Sequence, residues 1–123
     1  MSHAPRFLKL VSDIRGNIQE CDVNTVKEKQ DNNHAFTLID VREYSEWENG
    51  HLPDAIHLCK GVVERDIEKA VPDVNTEVIL YCGGGYRSAI AAETLQRMGY
   101  INVISMDGGF REWKEAGFEI QKD

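Results

Sequence analysis

The residues with the most chemistry in the shortest span are Cys82-Gly83-Gly84-Gly85-Tyr86-Arg87-Ser88. A cysteine sulfur attacks as its thiolate, which is favoured where positive charge and backbone N–H groups converge on it. Consecutive glycines reach backbone angles closed to other residues, including φ > 0. Gly83, Gly84 and Gly85 therefore permit a tight loop whose N–H groups turn inward around an anion. Arg87 adds a permanent charge and a rigid fork of donors. The pattern is that of a device for holding an anionic sulfur.

Several of these residues carry more than one reading. Arg87 either binds an anion at the loop or pairs with a carboxylate and holds the loop in place. Tyr86 shapes the pocket mouth or stacks on a larger substrate. Ser88 reads as a helix cap rather than a nucleophile, because no G-x-S-x-G elbow surrounds it. Cys21 and Cys59 lack such a loop and read as core or passive surface, although Cys59 follows a strand and leaves open a second, resolving thiol. Three cysteines at irregular spacing form neither a disulfide framework nor a metal pair, and the histidines converge on no metal or triad pattern. His3 falls in an end expected to be loose, and His57 needs no special role. No cofactor is called for.

The surrounding elements place the loop. Glu77–Tyr81 is a compact apolar run that reads as a buried strand, and Ala89–Met98 reads as a helix ended by Gly99. The cysteine thus ends a strand, and the helix after the glycines aims spare N–H groups and the positive end of its dipole at the same point. Further strands are expected at 18–21, 36–40, 54–58 and 102–106. Helices are expected at 6–15 (ended by Gly16), after Asp22 or Asn24 to about Gln30, around Tyr44 and Trp47, at Val63–Ala70 before Pro72, and around Phe110 and Trp113. Trp47 and Trp113 read as core anchors by their helical spacing. Alternation of strand and helix calls for an α/β domain with a central parallel sheet of about five strands and helices on both faces. In such sheets ligands bind beyond the carboxyl ends of the strands, where Cys82 lies.

Cys82–Arg87 resembles the active-site loop of the rhodanese family, sulfurtransferases that carry a sulfane sulfur as a cysteine persulfide. Asp40-Val41-Arg42-Glu43 with Glu46 and Gly50-His51-Leu52-Pro53 resembles the upstream signature, and Gly108-Gly109-Phe110-Arg111-Glu112-Trp113 with Gly117-Phe118 resembles the C-terminal one. The resemblance spans about residues 17–120, so residues 1–16 are expected as a helical extension packed on a rhodanese domain of residues 17–123. It implies Cys82 as nucleophile, residues 83–88 as the persulfide-binding loop, and Arg87 as the arginine that closes that loop. Asp40 and Arg42 are implied beside the site as support through charge pairing; on the sequence alone an ordinary exposed ion pair is an equal alternative. Implied partners are a small sulfur donor such as thiosulfate, a cyanide or thiol acceptor, and a protein acceptor where the domain acts as a carrier or binding module. Related phosphatases place five residues between cysteine and arginine; here four intervene, Gly83 to Tyr86, which suits a single sulfur. Arsenate reduction is a lesser alternative. Arg87 brings the only charge to the loop, which weighs against a dianionic donor. Asp54 stands where the signature usually has glycine.

A chain of 123 residues with 41% hydrophobic and 28% charged residues suits one globular domain. A net charge of −7 argues against nucleic-acid or anionic-membrane binding. No apolar run nears the ~20 residues that span a bilayer, and the N-terminus lacks the basic start and apolar stretch of a signal peptide, so a cytoplasmic location is expected.

Overall fold

The computed structural model describes residues 3–122, so the first two residues of the expected N-terminal extension lie outside the described ones. The chain runs α1 (Pro5–Arg15), β1 (Gln19–Cys21), α2 (Val23–Asp31), β2 (Thr37–Asp40), α3 (Tyr44–Trp47), β3 (Ile56–His57), α4 (Val63–Ala70), β4 (Val78–Tyr81), α5 (Tyr86–Arg97), β5 (Val103–Met106) and α6 (Gly109–Glu115). The five strands form one parallel sheet in the order β1-β5-β4-β2-β3.

The period of two in the strands sorts the core into two layers. Val78 and Leu80 of β4 face Val63, Ile67, Ala91 and Leu95 of α4 and α5. Ile79 and Tyr81 face the other way, onto Val23 and Val26 of α2 and Trp113 of α6. β4 is buried along its whole length because both faces are covered, hence its unbroken apolar run. Helix starts follow local chemistry. Pro5 sits in the first turn of α1, and Asp22 caps α2 by accepting the Thr25 N–H at 2.8 Å. α1 lays Val11 and Ile14 on Ala89 of α5, with Phe7 and Tyr86 alongside.

Three expectations change. The strand expected at 54–58 is reduced to Ile56–His57 at the sheet edge, because Asp54 takes φ +66° and turns the chain. A left-handed angle favours glycine, and aspartate is among the residues that tolerate it. Trp47 is half-buried rather than core, stacked on His51 at 3.7 Å and on His57 at 5.1 Å between centroids, whereas Trp113 is fully buried. The helix expected from Ala89 begins three residues earlier, at Tyr86.

Candidate active site

Cys82 follows the central strand β4, with β5 on one side and β2 on the other. The Gly85 N–H donates to Cys82 Sγ at 3.1 Å and the Ser88 N–H at 3.4 Å. The Ser88 Oγ lies 3.6 Å from the sulfur and shares a 2.8 Å hydrogen bond with Ser105 Oγ. The first N–H groups of a helix have no partner within it, so these donors are available to a ligand of the right charge. Ser88 is not the cap expected of it. Gly85, at φ +103°, takes that position, and Ser88 is fully buried inside the first turn with its hydroxyl beside the sulfur. Ser105, which sequence reasoning missed, is the buried polar residue of β5 that orients it.

The three glycines do different things. Only Gly85 uses a left-handed backbone, and a Cβ there would come within 2.8 Å of Asp107 Oδ1. Gly83 allows close approach instead, since a Cβ there would lie 3.1 Å from Arg87 Nη2, whereas one on Gly84 would make only ordinary contact, 3.8 Å from the Arg111 guanidinium.

Arg87 takes the second of its two readings. It grips Glu46 of α3 through both terminal nitrogens, at 2.7 and 3.0 Å. This pairing raises the arginine's already high pKa, with the Cys82 sulfur adding to the effect, and it holds the Glu46 carboxyl below its usual range. The opening of the loop helix is thereby tied to the segment after β2. Asp40 and Arg42 form a buried pair, not an exposed one: Arg42 Nε lies 3.0 Å from both Asp40 oxygens, and Nη2 lies 2.7 Å from Oδ2 and 2.7 Å from Gly50 O. The Arg42 guanidinium covers the Phe110 ring at 4.1 Å.

α6 is bonded directly to the loop. The Phe110 N–H donates to Cys82 O at 2.8 Å and the Arg111 N–H to Gly83 O at 3.0 Å. Arg111 lines the same hollow as the cysteine, so the hollow holds two arginines where the sequence pointed to one. Cys82 opens into a hollow of about 340 Å³ whose walls include His3, Tyr86, Arg87 and Arg111. His3 is no loose end: its ring meets Tyr86 edge-on at 4.4 Å, and Arg15 lies over the same tyrosine at 5.1 Å. Cys59 is half-buried and is not part of this hollow. Burial pushes the Cys21 thiol up to about 11, which leaves it protonated at neutral pH.

The sulfur-centred loop, its arginine and the parallel sheet agree with a family comparison in which the rhodanese-like domain matches residues 22–116. The chain belongs to the rhodanese-like domain family. It is 32% identical over 102 residues to a Bacillus subtilis (strain 168) protein named "Putative sulfur carrier protein YrkF", covering 83% of this chain and 54% of that one. The chain thus spans about half the length of that relative. It is 35% identical over 77 residues to the thiosulfate sulfurtransferase GlpE of Pseudomonas savastanoi pv. phaseolicola (strain 1448A / Race 6), covering 63% of this chain and 71% of GlpE. Among solved structures, a Rhodopseudomonas palustris protein described as a "Possible Tyrosine Phosphatase" superposes with a TM-score of 0.86 over 98% of both chains at 24% identity, a likeness of fold. No described helix is long and apolar enough to cross a membrane.

Proposed function

We propose that the domain is a sulfurtransferase that carries a sulfane sulfur as a persulfide on Cys82. The observation that carries this reading is the cradle of Gly85 and Ser88 N–H groups at 3.1 and 3.4 Å from Sγ. In the first half-reaction the Cys82 thiolate attacks the outer sulfur of thiosulfate. The donor's S–S bond breaks, its electron pair leaves with sulfite, and Cys82 keeps the sulfur as Cys–S–S⁻. In the second, cyanide attacks that outer sulfur, thiocyanate departs, and the electron pair returns to Cys82. A thiol acceptor takes the sulfur in the same way and leaves as its own persulfide. Electrons balance within each displacement, and ping-pong kinetics follow from the covalent intermediate. The inward N–H groups stabilise anionic sulfur in both steps, as an oxyanion hole stabilises oxygen. Arg87, engaged by Glu46, keeps the loop in shape; Asp40 and Arg42 support the Gly50 turn and Phe110 beside it. The free thiols fit a reducing cytoplasm.

The four-residue spacing between Cys82 and Arg87 supports a site for one sulfur rather than a phosphate. A second reading, in which the domain is a carrier that hands its sulfur to a protein thiol, is favoured by the 32% identity to the sulfur carrier protein. Both readings pass through the same intermediate. Intact-mass spectra after incubation with thiosulfate or an organic persulfide, on the native protein and on Cys82→Ala, test it. The expected result is a gain of one sulfur, about 32 Da, lost on adding cyanide and missing in the variant. No adduct from any donor would overturn the proposal.

A further inference from the structure

The hollow that holds Cys82 has a neighbour that shares part of its wall. Gly83 and Arg111 line it, and the same two residues line a second hollow of about 390 Å³, with the Phe110 ring, Arg42 and Lys114 in its walls. That volume is at the small end of the range for organic ligands. Two carboxylates, Glu46 and Glu115, also line it, so its charge balance decides what it can hold.

Arg42 is engaged by Asp40 at 2.7 Å, and Glu46 by Arg87 at 2.7 Å. Among the described residues, no carboxylate lies within ion-pair distance of Arg111 or Lys114. These two cations, three positions apart on α6, share the hollow with Glu115 and with Glu46, which Arg87 already engages, so the lining carries an excess of positive charge beside an aromatic wall. A carboxylate meets an arginine fork and an ammonium in charge-assisted hydrogen bonds, roughly twice as strong as neutral ones.

We infer that the second hollow is a subsite for the carboxylate end of an organic persulfide, whose sulfane sulfur lies at Cys82 while its carboxylate sits on Arg111 and Lys114. This rests on the sulfur-transfer reading above. The step is R–S–SH + Cys82–S⁻ → Cys82–S–SH + R–S⁻: the donor's S–S bond breaks, its electron pair leaves on the thiolate R–S⁻, and no outside oxidant enters. Thiosulfate is short enough to remain in the cysteine's own hollow, which Arg111 lines and Lys114 does not. Lys114 therefore separates the two anionic donors.

The test is the single-turnover rate of Cys82 persulfide formation, followed by intact mass, with three donors: the persulfide of 3-mercaptopropionate, the persulfide of 2-mercaptoethanol as its neutral counterpart, and thiosulfate. Wild type, Arg111→Gln and Lys114→Gln are compared. Both side chains are exposed, and Arg111 holds the loop through its backbone N–H, which glutamine retains. The expected result is that wild type prefers the carboxylate donor over the neutral one, and that each variant lowers this preference about tenfold, the equivalent of one charge-assisted bond. An unchanged preference in both variants, or equal losses with both persulfides, would overturn the subsite. So would a loss confined to thiosulfate in Arg111→Gln, which would place the anion in the cysteine's own hollow. No persulfide from any donor in wild type would bring down the sulfur-transfer reading itself; all the other outcomes leave that reading standing.

Discussion

A charge pair almost wholly removed from solvent persists only when nearly every polar atom in it has a partner, and Asp40–Arg42, with Asp40 fully buried and Arg42 nearly so, meets that condition. Asp40 Oδ1 also accepts the Arg42 backbone N–H at 2.9 Å, and the guanidinium's remaining reach goes to Gly50 O at 2.7 Å. Removing the aspartate charge leaves a guanidinium buried without compensation, a loss of about 3–5 kcal/mol. Asp40→Asn is therefore expected to lower the unfolding free energy by about that amount, read in urea as a lower midpoint at an unchanged slope; a loss under about 1 kcal/mol would mean that the pair contributes little. At this scale the sequence is readable wherever chemistry depends on residue type and short spacing, as in Cys82–Arg87. It is not readable where partners meet across the fold: Glu46 with Arg87, 41 positions apart, and Ser88 with Ser105, 17 apart. Ser88 reads as a cap in the sequence because serine favours that position. The loop instead needs φ +103° there, which serine adopts only under strain and glycine freely.

The element that completes the site is α6, and it can dock only because Gly109 has no side chain. A Cβ on Gly109, at φ +56°, would overlap the backbone of Cys82 and Gly83, neither of which can move without breaking the cradle. Gly117, at φ +80°, closes the same helix, and a methyl group added there would have nothing within 4 Å of it. The pair separates backbone preference from close approach. Gly117→Ala is expected to cost only the left-handed penalty, about 1–2 kcal/mol, and to form persulfide on Cys82 at the native rate. Gly109→Ala is expected to cost more than that and to lose persulfide formation at least about tenfold, an effect of about 1.4 kcal/mol or more on the barrier. Thermal melts and intact-mass time courses on the two variants check this; similar losses in both would show that the backbone angle alone matters. Element types are legible in the sequence because periodicity reports which face is buried. Boundaries are less so, since β3 is an edge strand with one neighbour and α5 starts where the glycine loop lets it.

The molecule carries a net charge of −7, yet its ion pairs decide how it responds to acid. The hydrogen bond from Arg87 holds Glu46 below the ordinary 4.5 despite partial burial. Burial alone would raise Glu77, but Lys29, at 2.7 Å, and His34 outweigh it and hold that carboxyl low as well. Both groups have a folded pKa below the unfolded one, so in acid the unfolded chain binds more protons. The stability they contribute is complete above the unfolded value near 4.5 and is lost as pH falls through the folded values. The urea midpoint is therefore expected to fall as pH drops below about 4.5. The Glu46 side chain is 36% exposed, so water screens its pair and its share stays under about 1 kcal/mol. Glu46→Gln should accordingly reduce the acid slope without removing it, because Glu77 still titrates. A variant whose midpoint follows the wild-type curve at every pH would show that the Arg87–Glu46 pair adds no net charge stabilisation to the folded chain. Its grip on the loop would then have to come from geometry rather than charge.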